Sequence, residues 1–187
     1  MDRAGMTLFD TAIGRCGLAW TERGVAGLQL PEASEAQSRA RMQERHAGAF
    51  TGTPPGEIKT AIEAVQSLIE DGVTDLGFIV LDEAGLPDFH RQVYGALRKV
   101  AAGQTRSYGQ IAADIGSPGA ARAVGQALGR NPYPVIVPCH RVLAAGGRAG
   151  GFTGPGGLST KARLLRIEGV RLDTGRDLFG QACPMAG

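Results

Sequence analysis

Between Gly103 and Gly129 the chain carries two short helix signals separated by a single glycine, and this stretch constrains the fold more than any other. Ser107 is placed to cap a first helix running through Ile115, and Gly116 then turns the chain. Ser117-Pro118 supplies an N-cap and a first-turn residue for a second helix that reaches Gly129. Two helices joined by so tight a turn make a helix-turn-helix pattern.

The second helix, PGAARAVGQALGR, holds Gly119, Ala120, Ala121, Ala123, Gly125 and Ala127 and few large side chains. Small residues let a helix backbone lie close to whatever it faces. Tight packing on other helices accounts for some of the alanines, but Arg122 among them does not suit a core. On an exposed face the same smooth surface would enter a narrow nucleic-acid groove with one cation projecting. Charge along the chain agrees with that use. The protein of 187 residues has a formal net charge of only +2, yet residues 1–85 hold 7 Lys/Arg against 13 Asp/Glu, whereas residues 86–172 hold 12 against 3. A solvated basic face is one reading of the second half; a surface that meets a polyanion is the other.

The charge balance changes at GLPD, 85–88, which marks the domain boundary: 1–85, then 86–172, then a tail, 173–187, expected to be loosely ordered. In the first part TLFDTAIG, RCGLAWT and GVAGLQLP, broken at Gly14 and Glu22-Arg23-Gly24, predict an antiparallel meander with Trp20 in its core. Residues 33–47 are polar and helix-prone, and TGTPPG at 51–56 is a loop. Ile58, Ile62, Val65 and Ile69 fall at spacings of three and four and predict a helix ending at Gly72. LGFIVLD at 76–82 reads as a strand. After it, Asp88 is placed to cap a helix whose stripe is Phe89, Val93, Leu97 and Val100, stopped by Gly103. No apolar run approaches the ~20 residues that cross a bilayer, and the start MDRAGMTLFD lacks the order of a signal peptide, so a cytoplasmic protein is expected.

Cys16, Cys139 and Cys183 are an odd number of scattered thiols, which argues against a disulfide framework. A zinc site assembled from Cys16, Cys183, His46 and His90 has no motif behind it. Chemistry is expected instead after Asn131-Pro132-Tyr133-Pro134, where a short apolar strand, Val135-Ile136-Val137, leads into Pro138-Cys139-His140-Arg141-Val142. Cysteine attacks as thiolate, and an ordinary thiol pKa of about 8.5 leaves only a minority ionised at neutral pH. His140 is the nearest base. Adjacent residues on extended chain point to opposite faces, so an indirect relay through a turn or a bridging water is expected. A basic histidine usually has an orienting acceptor, and Glu168 is the only carboxylate from 115 through 172. It ends STKARLLRIEG, a helix for which Ser159 is the expected cap. Taken singly, Cys139 could be an inert buried thiol, and Glu168 a surface carboxylate pairing with Arg171 or Lys161. Together with the basic helix pair they favour a nucleophile that works on DNA.

Pro138-Cys139-His140-Arg141-Val142 resembles the active-site signature of the O6-alkylguanine-DNA alkyltransferases, also called methylated-DNA–protein-cysteine methyltransferases. SYGQIA at 107–112, AARAVGQAL at 120–128, Asn131-Pro132 and the GG, K, LL and EG positions across 156–169 follow in the family's order. The resemblance is strong from about 87 to 172. It implies an N-terminal ribonuclease-H-like α/β domain and a mostly α, winged-helix-like C-terminal domain with the helix-turn-helix. It also implies single-turnover DNA repair, in which an alkyl group passes irreversibly from O6-alkylguanine to Cys139, with O4-alkylthymine as a second candidate substrate. The nucleotide is first flipped out, because a stacked base keeps its alkylated oxygen from in-line attack.

By position, His140 resembles the water-mediated base and Glu168 its orienting partner. Arg122 matches the finger that fills the vacated stack, within a DNA-contacting set of Ser107, Tyr108, Ala121, Ala123 and Gly125. Tyr108 matches the residue that contacts the flipped base, and Asn131 the brace between recognition helix and reactive segment. Pro134, Val142, Phe152 and Lys161 are the expected pocket and support residues. No cofactor or metal is implied, since the lesion itself is the alkyl donor. The implied partner is double-stranded DNA, bound by a monomer without a membrane. One departure stands out: the family commonly has an aromatic and a small residue directly before paired glycines, whereas Gly151-Phe152-Thr153-Gly154-Pro155-Gly156-Gly157 holds extra residues. This loop is expected to wall the base pocket and to bear on which alkyl groups fit. A DNA-binding sensor without chemistry and a cysteine hydrolase are the competing readings. The reactive cysteine counts against the first, and the absence of an oxyanion motif against the second.

Overall fold

A computed structural model describes residues 4–172; the tail at 173–187, with Cys183, lies outside the described residues. The alternating N-terminal runs form β1 (Gly5–Thr11), β2 (Gly14–Thr21) and β3 (Gly24–Gln29), paired antiparallel in sequence order. Gly14 and Gly24, at φ 123° and 131°, make the two reversals. A two-residue strand, β4 (Phe50–Thr51), adds in parallel beside β1, so the sheet is mixed with order β3-β2-β1-β4. Thr51, expected to open the loop 51–56, thus belongs to a strand, one too short at two residues to show any periodicity.

Alternation along β2 decides what covers each face. Cys16, Leu18 and Trp20 join the main core, while Ala19, with Met6 of β1, packs on Met42 of α1 (Glu35–Arg45). The main-core face meets α2 (Gly56–Asp71), which buries Ile58, Ile62, Val65, Leu68 and Ile69. Each such side chain is worth roughly 2 kcal/mol when removed from water, so packing rather than intrinsic propensity holds this helix. The same apolar cluster continues without a break across residue 85 into the second half.

Beyond it lie α3 (Asp88–Leu97), α4 (Tyr108–Asp114), α5 (Ala121–Gly129) and α6 (Gly157–Ile167), with a two-residue parallel pair, β5 (Arg106–Ser107) and β6 (Val142–Leu143). Ser107 caps α4 in a reciprocal capping box with Gln110. The buried Tyr94 hydroxyl of α3 donates to Ala127 O of α5 at 2.8 Å and fixes the second helix of the pair on the first layer.

Five local expectations are corrected. Residues 76–82 do not form a strand: among the described residues Val25 alone pairs with them by backbone, while the Arg98 guanidinium donates to the carbonyls of Leu76, Gly77 and Ile79. One long cation thus replaces a ladder. Residues 135–137 are likewise a buried turn. Prolines at 132, 134 and 138 remove amide donors, and the Asn131 side chain takes up the Tyr133 N–H and the Val137 carbonyl at 2.9 Å each. Ser117 does not cap α5, which starts at Ala121; its N–H goes back to Ala112 O, and Gly119 at φ 96° prolongs the turn. Asp88 sits inside the first turn of α3, behind Pro87, and pairs with Arg91. Ser159 lies within α6, whose N-cap is the left-handed Gly156.

The end of α2 is locked to the end of α6. Gly72 closes α2 at φ 71°, and a β-carbon there would stand 2.1 Å from the carbonyl oxygen of Ile167. Gly48, also left-handed at φ 83°, faces open space. Replacing Gly48 with alanine should therefore cost only the left-handed penalty of about 1 kcal/mol, whereas Gly72→Ala should cost about 3 kcal/mol in urea denaturation. Equal losses would contradict a tight α2–α6 lock.

Candidate active site

The turn that replaces the expected strand brings the reactive residues together. Val135 is held at φ 75°, a costly conformation for a β-branched side chain, and its neighbours bury it. The chain then doubles back, with Val137 N–H on Tyr133 O and Cys139 N–H on Val137 O, each at 2.8 Å. Cys139–Arg141 forms a single 3-10 turn rather than extended chain. Successive side chains therefore splay around the turn instead of alternating.

His140 is fully buried, and its Nε2 lies 2.8 Å from Glu168 Oε1. Glu168 follows the last turn of α6 and also receives Arg141: Nη2 at 2.8 Å on Oε1 and Nε at 2.9 Å on Oε2. Arg141 Nη1 donates onward to Val100 O at 2.5 Å. The reading of Glu168 as a surface carboxylate is thus overturned. Burial alone would push its pKa up, but the hydrogen bonds from His140 and Arg141 outweigh it and hold the carboxyl down at about 2. An ionised Glu168 makes Nε2 the protonated nitrogen of a neutral ring. Burial pushes the imidazole below its ordinary value, against the pull of Glu168, so the neutral form prevails at neutral pH. His140 Nδ1 then carries a lone pair and has no protein partner among the described residues.

Cys139 is only partly buried and borders two cavities. Burial pushes its thiol up; the Asn131 side-chain amide, the charge of Lys161 and the backbone N–H groups of Cys139 and His140 favour the thiolate. Lys161 of α6 is itself buried, which pushes its ammonium down to about 8, and its Nζ donates to Val142 O at 2.5 Å and Gly151 O at 3.4 Å. It ties the segment after Cys139 to the loop that follows. Cys16, the other described thiol, is buried in the sheet core, which pushes it up to about 12 and leaves it unreactive.

One cavity, about 100 Å³, lies between α5 and the loop and is bordered by Tyr108, Gly125, Cys139 and Phe152. The Tyr108 ring lies against Gly125, where a β-carbon would be 3.6 Å away. Val124, Ala127 and Leu128 bury the inner face of α5, which leaves Ala121, Ala123 and Gly125 partly open and Arg122 exposed. The Arg122 side chain makes no hydrogen bond or ion pair with the described residues. Pro134 and Phe152 line the second, larger cavity beside Cys139. Val142, expected to line the pocket, is instead fully buried: β6 pairing with Arg106 turns its side chain inward, and only its carbonyl takes part, as the Lys161 acceptor. Arg141 is the residue that sequence reasoning passed over. A cation set between His140 and an apolar pair, in a stretch with a single carboxylate, was the available signal. Among the described residues no three His, Cys, Asp or Glu are grouped to hold a metal, and no helix is long and apolar enough to cross a membrane.

A family model described as 6-O-methylguanine DNA methyltransferase, DNA binding domain, matches residues 88–170. The methylated-DNA–protein-cysteine methyltransferase of Mycobacterium tuberculosis (strain ATCC 25618 / H37Rv) is 37% identical over 171 residues, covering 91% of this chain and 95% of the relative. That of Methanothermobacter thermautotrophicus is 32% identical over 157 residues, covering 84% and 81%. Among solved structures, the Mycobacterium tuberculosis OGT in complex with DNA superposes with a TM-score of 0.71 at 35% identity, over 88% of this chain and 92% of the other. The O6-methylguanine-DNA methyltransferase from Pyrococcus kodakaraensis strain KOD1 gives 0.67 at 25%, over 89% and 99%. With a mixed sheet, a helical second half and relatives at 32% and 37% identity over most of both chains, this chain belongs to the methylated-DNA–protein-cysteine methyltransferase family.

Proposed function

We infer that this protein repairs DNA by moving an alkyl group from O6-alkylguanine onto Cys139. The observation that carries the reading is the arrangement around the thiol: a partly exposed cysteine that borders two cavities, followed in the chain by a neutral imidazole that is locked by Glu168 and has one ring nitrogen without a partner among the described residues. His140 Nδ1 takes the Sγ proton through a bridging water, while Lys161 and the local amides steady the thiolate. The thiolate attacks the alkyl carbon; a Sγ–C bond forms and the C–O6 bond breaks. Its electron pair goes to the guanine ring, which takes up one proton. Thiol and O6-alkylguanine thus become thioether and guanine, with no co-reactant. A thioether is not reversed by any group at this site, so each molecule acts once.

In this reading residues 86–172 form the DNA-binding and alkyl-acceptor domain, winged-helix-like in its β5–β6 pair, and 1–85 a ribonuclease-H-like domain. The protein works as a monomer in the cytoplasm. The smooth face of α5, with Ser107 and Tyr108 beside it, lies in the minor groove, and Arg122 occupies the place of the flipped nucleotide. The net positive balance of 86–172 supplies the sequence-independent attraction to phosphate. Asn131 acts by holding the turn before Cys139 in shape.

Intact-protein mass spectrometry after mixing with a duplex containing one O6-methylguanine should show a single methyl group per molecule, located at Cys139 and absent from Cys139→Ser. An unmodified protein after prolonged exposure would refute the reading. Arg122→Ala should slow transfer from duplex by roughly tenfold or more, the scale of the unstacking energy it offsets, while transfer from a free O6-alkylguanine base stays within about twofold. Equal losses on both substrates would contradict the finger role.

A further inference from the structure

The cavity on the sheet side of Cys139 is a groove of about 460 Å³, against about 100 Å³ for the one beside α5. Tyr108 and Gly125 crowd the smaller space, which in the proposed function receives the incoming base. The sulfur attacks the first alkyl carbon in line with the breaking C–O6 bond, so the rest of a large substituent is thrown sideways from that axis. The groove is where room for it exists.

Its walls are polar. The end of α1 contributes Arg41, Arg45 and His46 and the segment after α5 contributes Arg130; among the described residues no Asp or Glu lines it, although Glu32 bonds to the lining Gln29. Arg41 is paired with Glu44; the side chains of Arg45 and Arg130 make no hydrogen bond or ion pair with the described residues, although Glu32 and Glu44 are near enough to Arg45 to act on its charge. Gln29, 1% exposed, is also part of the lining. Its Nε2 donates to Leu30 O and Glu32 Oε1, which fixes the amide and leaves Oε1 without a partner among the described residues. A buried acceptor left open is met only by a donor, such as a water carried in with an occupant, and gives no hold on an anion. The arginines set the sign of that occupant.

We propose that this groove receives the far end of large O6 substituents and favours those ending in a carboxylate. The proposal rests on alkyl transfer to Cys139; the bonds made and broken are those given above. Phe152 through Pro155, the loop with extra residues, forms the remaining wall, so the lengthened loop frames the groove.

The test compares free O6-(4-carboxybenzyl)guanine with O6-(4-carbamoylbenzyl)guanine, matched in size and differing in charge, with Cys139 adduct formation followed by mass on the full chain. Free bases keep DNA affinity out of the comparison. The acid should react about fivefold faster at low salt, the scale of partly exposed ion pairs. In the Arg45→Gln, Arg130→Gln double variant that advantage should vanish because the acid slows to the rate of the amide, whose own rate is unchanged. Equal rates for acid and amide in the unaltered protein, or an advantage that survives the double substitution, overturns the groove proposal. Failure of O6-methylguanine to transfer at all would instead sink the underlying reading.

Discussion

The site depends on one buried ion pair. Glu168 and Arg141 meet through two hydrogen bonds away from water, with side-chain exposures of 3% and 8%. Burying both charges is costly, and the cost is offset only because every strong donor and acceptor has a use: Arg141 also holds Val100 O, and Glu168 also holds His140. Removing either partner would leave an isolated buried charge, a loss of about 3–5 kcal/mol. A well-packed apolar pair could restore stability, but it could not fix which nitrogen of His140 carries the proton. The pair is therefore better understood as a device for orienting the imidazole than as a source of stability.

From that pair outward the architecture serves placement. Glu168 comes from the end of α6, and the Gly72 contact fixes that end against α2. His140 comes from a turn braced by Asn131. Lys161, about two helical turns before Glu168, clamps the chain just past the turn. Three segments distant in sequence thus converge on a sulfur that borders a small cavity beside the smooth helix α5 and a larger cationic groove beside the sheet.

Much of this was legible in the sequence where the cause is local. The β1–β3 meander follows from alternation and two glycine reversals, α2 from its three- and four-residue spacing, and the start of α4 from Ser107 and Gln110. Cys139, His140 and Glu168 could be brought together because the basic half offers so few carboxylates. Failures came where a distant side chain does the work of backbone. Apolar runs at 76–82 and 135–137 have the length and composition of strands, but Arg98 and Asn131 satisfy their polar groups and make turns of them. Asp88, Ser117 and Ser159 were misplaced as caps because neighbouring proline or left-handed glycine shifted each helix start. Arg141 was missed because its partner lies 27 residues away, and no spacing rule reports a contact of that range.

The central claim is that Glu168 holds His140 as a neutral ring protonated on Nε2, leaving Nδ1 to receive the thiol proton. Nitrogen-15 NMR of the imidazole reports this directly. Between pH 6 and 8 the spectrum should show Nε2 bearing hydrogen and Nδ1 without it, with no titration to the imidazolium. An Nδ1-protonated ring, or an imidazolium at neutral pH, would contradict the account.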